Sequence, residues 1–186
     1  MGLLHRLRGD ETLMQQYGQG NVAAFNELYS RHKDRLYGFL YRSVYSASTA
    51  EDLAQETWST IIRQAVNYRP TASFSTYLFT IARRKLIDYH RRVDTRTETT
   101  QLDEDTLLAT NGSTTAEQQV EISRLLELIK CLPSDQREAF LLKEEGFSLT
   151  DIAAIAGTGQ ETVKSRIRYA RQTLRQQMTG GSDRND

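Results

Sequence analysis

Lys164, Arg166, Arg168, Arg171 and Arg175 are interleaved with Val163, Ile167, Ala170 and Leu174, and the apolar four recur at steps of four, three and four residues. That spacing makes one apolar stripe on a helix and leaves the cations on its other faces. Guanidinium and ammonium groups in this arrangement can hydrogen-bond base edges and phosphates. The elements that must position them are legible in the surrounding Ser148–Met178. Ser148 with Asp151, and Thr158 with Glu161, have the spacing of capping boxes, and Gly157-Thr158-Gly159 supplies a tight corner between two helices. Ile152, Ala153, Ile155 and Ala156 give the short first helix its packing side. Basic amphipathic helices are commonly just solvated surface. The paired caps and the glycine corner point instead to a helix-turn-helix that enters a major groove.

A second set of groups lies earlier. Leu53, Ala54, Thr57, Trp58, Ile61, Ile62 and Ala65 form a core-facing stripe on a helix that Thr49 can cap. Asp52, Gln55, Glu56 and Ser59 are left together on the opposite face. They offer carboxylates and an amide to a basic partner, although a solvated face is the ordinary reading of such a stripe. A loop, VNYRPTAS, separates this helix from FSTYLFTIARRKLIDYHRR, in which Phe74, Tyr77, Leu78, Ile81 and Ala82 pack and the remainder is strongly basic.

Composition bounds these readings. The 186 residues suit two small helical domains. Net charge is zero, with 24 basic and 24 acidic residues, yet the signs are segregated: seven acids stand against Arg96 alone from Asp94 to Glu121, while cations gather at 83–92 and 164–175. Cys131 is the sole cysteine, which excludes an internal disulfide and suits a reducing compartment. There is no signal peptide or apolar run long enough to span a membrane, so a cytoplasmic protein without membrane insertion is expected. His5, His32 and His90 have no cysteine or carboxylate at ligand spacing, so neither a metal nor another cofactor is expected.

Two prolines and long 3.6-residue periodicity predict an all-α protein. A first helical domain is expected over 11–93, with Gly20-Asn21 starting a pair of helices around Ala23–Tyr29 and Leu36–Leu40. A flexible acidic linker is expected over 94–115, with at most a transient turn at LDEDTLLA. The second domain is expected over 116–178. It opens with a helix bearing Val120, Ile122, Leu125, Leu126, Leu128 and Ile129, stopped by Pro133, and continues with a helix through Phe140 and Leu141. Residues 179–186 read as a disordered tail.

Four pieces, in this order, carry a resemblance to the bacterial sigma factors of the extracytoplasmic-function group: AAFNELYSRHKDRLYGFLYR, AEDLAQETW, FSTYLFTIARRKLIDYHRR and LPSDQREAFLLKEEGFSLTDIAAIAGTGQETVKSRIRYARQTLRQ. The resemblance runs from about Asn21 to Met178 and implies sigma regions two and four joined by the linker. It implies that AEDLAQETW docks on the clamp helices of the largest subunit of core RNA polymerase, with a further contact at the flap. It also implies that the basic aromatic helix opens and reads the minus-ten promoter element, and that the helix-turn-helix reads the minus-thirty-five element. An anti-sigma partner is common in the family. Arg84 stands where the family often has Asn, and Tyr77 where it often has Trp, departures that bear on promoter sequence rather than on role. No long extension follows region four, so no added regulatory domain is expected.

With that resemblance, Asp52, Gln55, Glu56 and Ser59 become the expected polymerase-binding residues. Promoter melting requires an extruded base to be received by stacking and edge hydrogen bonds. Asn67, Tyr68, Arg69, Ser73 and Tyr77 are suitable groups, and Arg83, Arg84, Lys85, Arg91 and Arg92 can bind phosphate, some of them pairing instead with Asp88. On region four, Gln160, Thr162, Lys164, Ser165 and Arg168 are the groove-facing candidates, with Arg171, Arg175 and Thr150 meeting phosphate. A linker of about 22 residues at ~3.3 Å each reaches roughly 70 Å, more than the roughly 50 to 55 Å between promoter elements. The expected function is a promoter-specificity subunit with no catalytic residues, acting at the nucleoid with RNA polymerase. A free-standing helix-turn-helix regulator would have no need of AEDLAQETW followed by a basic aromatic helix. An enzyme acting on nucleic acid would need a carboxylate cluster, metal site or nucleophile motif, and the sequence has none.

Overall fold

A computed structural model describes residues 9–94 and 116–179, so most of the expected linker and tail, LDEDTLLA included, lies outside the described residues. Among those residues there are eight α-helices and no strand. The chain divides into two compact units between Asp103 and Glu104.

The first unit contains α1 (Asp10–Gly18), α2 (Val22–Val44), α3 (Ala47–Gln64), a 3₁₀ turn (Ala65–Asn67) and α4 (Phe74–Asp94). Asn21 caps α2, its side chain accepting from the Ala24 N–H, as the Gly20-Asn21 signal predicts. The expected pair of helices is one helix of 23 residues, because nothing between Tyr29 and Leu36 breaks the 3.6-residue pattern. Leu28, Leu36, Phe39 and Leu40 are fully buried along it, each contributing roughly 1.5–3 kcal/mol relative to exposure. The α2–α3 corner turns through Tyr45 in the left-handed region (φ 56°). Ser46, not Thr49, caps α3, and the Thr49 N–H is the donor to it. Trp58 is 6% exposed, set edge-on against Phe25 and Tyr29.

Ile62 departs from the predicted stripe, being 45% exposed. At about 100° per residue it falls beyond the buried sector bounded by Leu53 and Trp58, on the side that carries Gln55 and Ser59.

The second unit contains α5 (Ala116–Lys130), α6 (Ser134–Glu144), α7 (Leu149–Ala156) and α8 (Gln160–Thr179). Val163, Ile167, Ala170 and Leu174 are all buried, so the predicted stripe is the one α8 packs against its neighbours. Ser148 and Asp151 complete both bonds of the capping box on α7. Gly157 (φ 62°) ends α7 in the left-handed region, where a side chain would be strained. The α8 start differs from the predicted box. The helix begins at Gln160, so Gly159 and not Thr158 holds the cap position, and the first backbone bond runs from Val163 to the Gly159 carbonyl.

Candidate nucleic-acid and partner interfaces

Asp52, Gln55, Glu56 and Ser59 are all exposed and line a single open groove with Arg63 and Lys85. The buried sector of α3 on α2 and α4 forces these polar groups outward together. Lys85 reaches across from α4 to Glu56 at 3.2 Å. Lys85, expected from sequence among the phosphate-binding cations, thus stands at the rim of the α3 groove. Ile62, expected in the core stripe, and Arg63, not singled out from sequence, share the outward sector of α3. The helical register of Asp52, Ser59 and Ile62 carries that information, but the assumption that every apolar residue belongs to the core conceals it.

The minus-ten candidates separate into two layers. Asn67, Arg69 and Ser73 are exposed on the segment between the 3₁₀ turn and α4. The Ser73 hydroxyl accepts the Thr76 N–H, so it also caps α4. Tyr77 is half-buried and donates its hydroxyl to Gln64 at 2.7 Å, which fixes the ring beside the loop. Burial raises the Tyr77 hydroxyl above its ordinary pKa, while Arg84 acts in the opposite direction.

Tyr68 lies in the inner layer. It is 6% exposed, packed against Phe74 and Tyr77, and its hydroxyl has no hydrogen-bond partner among the described residues. Burial, reinforced by the charges of Glu11, Tyr77 and Asp10, raises it to about 12. A ring enclosed in this way underlies the loop. Alternation within the loop is the reason, since Asn67 and Arg69 point outward on either side of it.

On α4, Tyr77, Arg84 and Arg91 recur every seven residues and therefore lie on one side of the helix. Arg84, Arg91 and Arg92 are exposed and Arg83 is half-buried. Arg91 pairs with Asp88 at 3.4 Å, and Arg92 donates to the Asp88 carbonyl. Contacts at such exposure contribute little to stability.

In the second unit, Gln160, Lys164, Arg168, Arg171 and Arg175 lie within an arc of roughly 80° on α8, flanking the buried stripe. Gln160 donates to the Thr150 hydroxyl at 3.2 Å, which aligns the starts of α7 and α8. Arg168 is exposed and stacks over Tyr169 at 5.0 Å, a contact that stiffens a long side chain before it meets a ligand. Arg171 pairs with Glu144 at 3.6 Å, and Lys164 lies 3.9 Å from Glu161. Thr162, although exposed, faces away from this ridge, and the half-buried Ser165 sits at its margin. Arg166 is also off the ridge, paired with Asp135 of α6, where it ties two helices together.

Comparison with known proteins decides the family. Sigma-70 region 2 matches residues 28–96, and Sigma-70, region 4 matches residues 122–174. The ECF RNA polymerase sigma factor RpoE of Cereibacter sphaeroides is 38% identical over 162 residues, covering 84% of this chain and 87% of that protein. The RNA polymerase sigma factor CarQ of Myxococcus xanthus is 32% identical over 167 residues, covering 88% and 94%. The chain belongs to the ECF sigma factors. As a sigma factor it directs promoter recognition and transcription initiation, and its partners are core RNA polymerase and promoter DNA. Among solved structures, the sigma factor RpoE from Bartonella quintana, in complex with the anti-sigma factor NepR, matches with a TM-score of 0.70 and 26% identity. That match covers 83% of this sigma factor and 96% of the other chain. CnrH, in complex with the cytosolic domain of CnrY, has the same fold, with a TM-score of 0.71 at 23% identity over 92% and 97% of the two chains. No described helix is long and apolar enough to cross a membrane.

Proposed function

We propose that the two units divide promoter recognition, with region two over 11–93 binding polymerase and opening the minus-ten element and region four over 116–178 reading the minus-thirty-five element. Residues 94–115 link them. The α3 groove of Asp52, Gln55, Glu56 and Ser59, extended by Ile62, is the polymerase-binding face. Asn67, Arg69, Ser73 and Tyr77 receive extruded bases, and Arg83, Arg84, Arg91 and Arg92 track the strand backbone. Gln160, Lys164 and Arg168 face the major groove, while Arg171, Arg175 and Thr150 meet phosphate. The chain acts in the cytoplasm, with RNA polymerase at the nucleoid, and contributes no catalytic residue of its own. An anti-sigma factor, such as the one bound to the Bartonella quintana RpoE, would act by covering the α3 groove or the α8 ridge.

The observation that carries the polymerase assignment is the convergence of four exposed polar side chains in one groove on a helix whose other side is buried. Carboxylates and hydrogen-bonding groups presented together on a rigid helix, with cations at their rim, favour a partner of complementary charge pattern. The test is charge reversal at two positions. Asp52→Lys with Glu56→Lys is expected to reduce retention of core polymerase by about tenfold or more, with helix content unchanged by circular dichroism. Equal retention of the variant and the wild type would remove the groove from the interface.

A further inference from the structure

Helix α1 lies ahead of residues 28–96 that match region two, and it touches the base-receiving loop at both of its ends. At one end Gly18 lies against the Ala65 carbonyl so closely that an added Cβ would come within 2.5 Å of the oxygen. At the other end Glu11 Oε1 accepts the backbone N–H of Phe74, the first residue of α4, at 2.7 Å. Ala65–Asn67 opens the segment that Phe74 closes, so a single helix fixes both feet of the loop bearing Asn67, Arg69 and Ser73.

The helix is itself anchored. Leu13 and Met14 are fully buried, and Asp10 bonds to Arg31 and His32 of α2 at 2.7 Å each. First-turn carboxylates ordinarily complement their own helix dipole. In α1 they are committed to α2 and α4 instead, and the cap residue Gly9 makes no side-chain bond. A helix held by its carboxylates to α2 and α4 transmits their positions to the loop that its two ends touch. Binding groups must be held to within a fraction of an ångström of productive geometry, so the spacing of the two feet governs how Asn67, Arg69 and Ser73 meet a base.

We propose that α1 is the brace of the minus-ten loop and that Glu11 is a positioning residue for base selection, acting through the Phe74 amide without touching DNA. The inference rests on the assignment of Asn67–Ser73 as the minus-ten loop. Glu11→Ala removes the acceptor, Glu11→Gln keeps an oxygen within reach, and Glu11→Asp withdraws the carboxylate by one methylene.

Each variant is assembled with core polymerase on a pool of promoter fragments randomised at the minus-ten element, and the opened fragments are sequenced. Amide hydrogen exchange across 66–76 is followed in parallel. Glu11→Ala is expected to speed exchange at Phe74 and in the loop and to reduce selection among minus-ten sequences about tenfold, the scale of a lost charge-assisted hydrogen bond. Glu11→Gln is expected to retain most of the selection, Glu11→Asp to fall between them, and polymerase affinity to stay unchanged in all three. Glu11→Asp carries the comparison if the alanine variant is not recovered folded. Unchanged exchange in the variants overturns the brace. Faster exchange with full selection, while Asn67→Ala and Arg69→Ala lose it, shows a loop that reads DNA without the brace and overturns the positioning role. If neither the Glu11 nor the loop variants alter selection, the minus-ten assignment fails, and the positioning role fails with it.

Discussion

Arg168 and Arg175 share one ridge of α8 but differ in how far they stand from the helix-turn-helix corner, and this distance separates reading from positioning. Stacked on Tyr169 and about two turns nearer the corner than Arg175, Arg168 has the preorganised fork that a bidentate guanine contact requires. Arg168→Ala is expected to relax discrimination at one minus-thirty-five position by about 1–3 kcal/mol, measured by selection from a randomised pool. Arg175→Ala is expected to weaken binding to all sequences equally and to lower the salt slope by about one. Identical behaviour of the two variants would refute this division. Tyr68 is a different case, a residue whose type suits base stacking but whose ring is buried beneath the loop. Tyr68→Phe removes a buried hydroxyl that has no partner among the described residues. The variant should melt at the same temperature as the wild type or slightly above it, and promoter opening should persist, because the enclosed ring is retained. A clear loss of opening on permanganate footprinting would mean that the hydroxyl leaves its enclosed site and is needed at the DNA.

Among the elements, α1 is held by polar bonds that depend on pH. The Asp10 carboxyl is held below its ordinary value of 3.8, chiefly by its hydrogen bond with His32 and also by Arg31, against burial that acts to raise it. A depressed folded pKa means that ionised Asp10 stabilises the fold above 3.8, and the contribution is lost as pH falls through the lowered value. Asp10→Asn should therefore lower the thermal midpoint near neutral pH, with the gap between variant and wild type closing below about pH 4. A constant gap across that range would mean that the side chain acts by shape and not by charge. Helices α7 and α8 show a different kind of control. The Ser148–Asp151 box and the left-handed Gly157 set the corner locally, and the α8 ridge then follows from packing its four apolar residues.

At the scale of the molecule, the chain divides into two compact units, to which the two promoter elements are assigned in the proposal above, and zero net charge provides little general attraction to DNA. Engaging both promoter elements at once from free solution costs conformational freedom that bound polymerase can absorb by fixing both units. The isolated chain is therefore expected to bind duplex promoter fragments weakly. Its complex with core polymerase should bind them and make minus-ten thymines reactive to permanganate. Tight, specific binding by the chain alone, with no gain from polymerase, would support a free-standing regulator instead.

Much of this organisation is determined by the sequence itself. The all-helical class, the α7–α8 corner and the buried stripe of α8 follow from periodicity, caps and glycine, which are local properties of a few adjacent residues. The polar set Asp52, Gln55, Glu56 and Ser59 is legible for the same reason, since helical spacing alone groups it. Tertiary structure decides the rest. Burial of Tyr68 beneath the loop depends on Phe74 and Tyr77 arriving from α4. The capture of Lys85 by Glu56 depends on α4 crossing α3, and the Glu11–Phe74 bond joins residues 63 positions apart. No local pattern encodes such meetings, because they arise only when separate helices bury their apolar stripes against one another and carry their polar groups along with them.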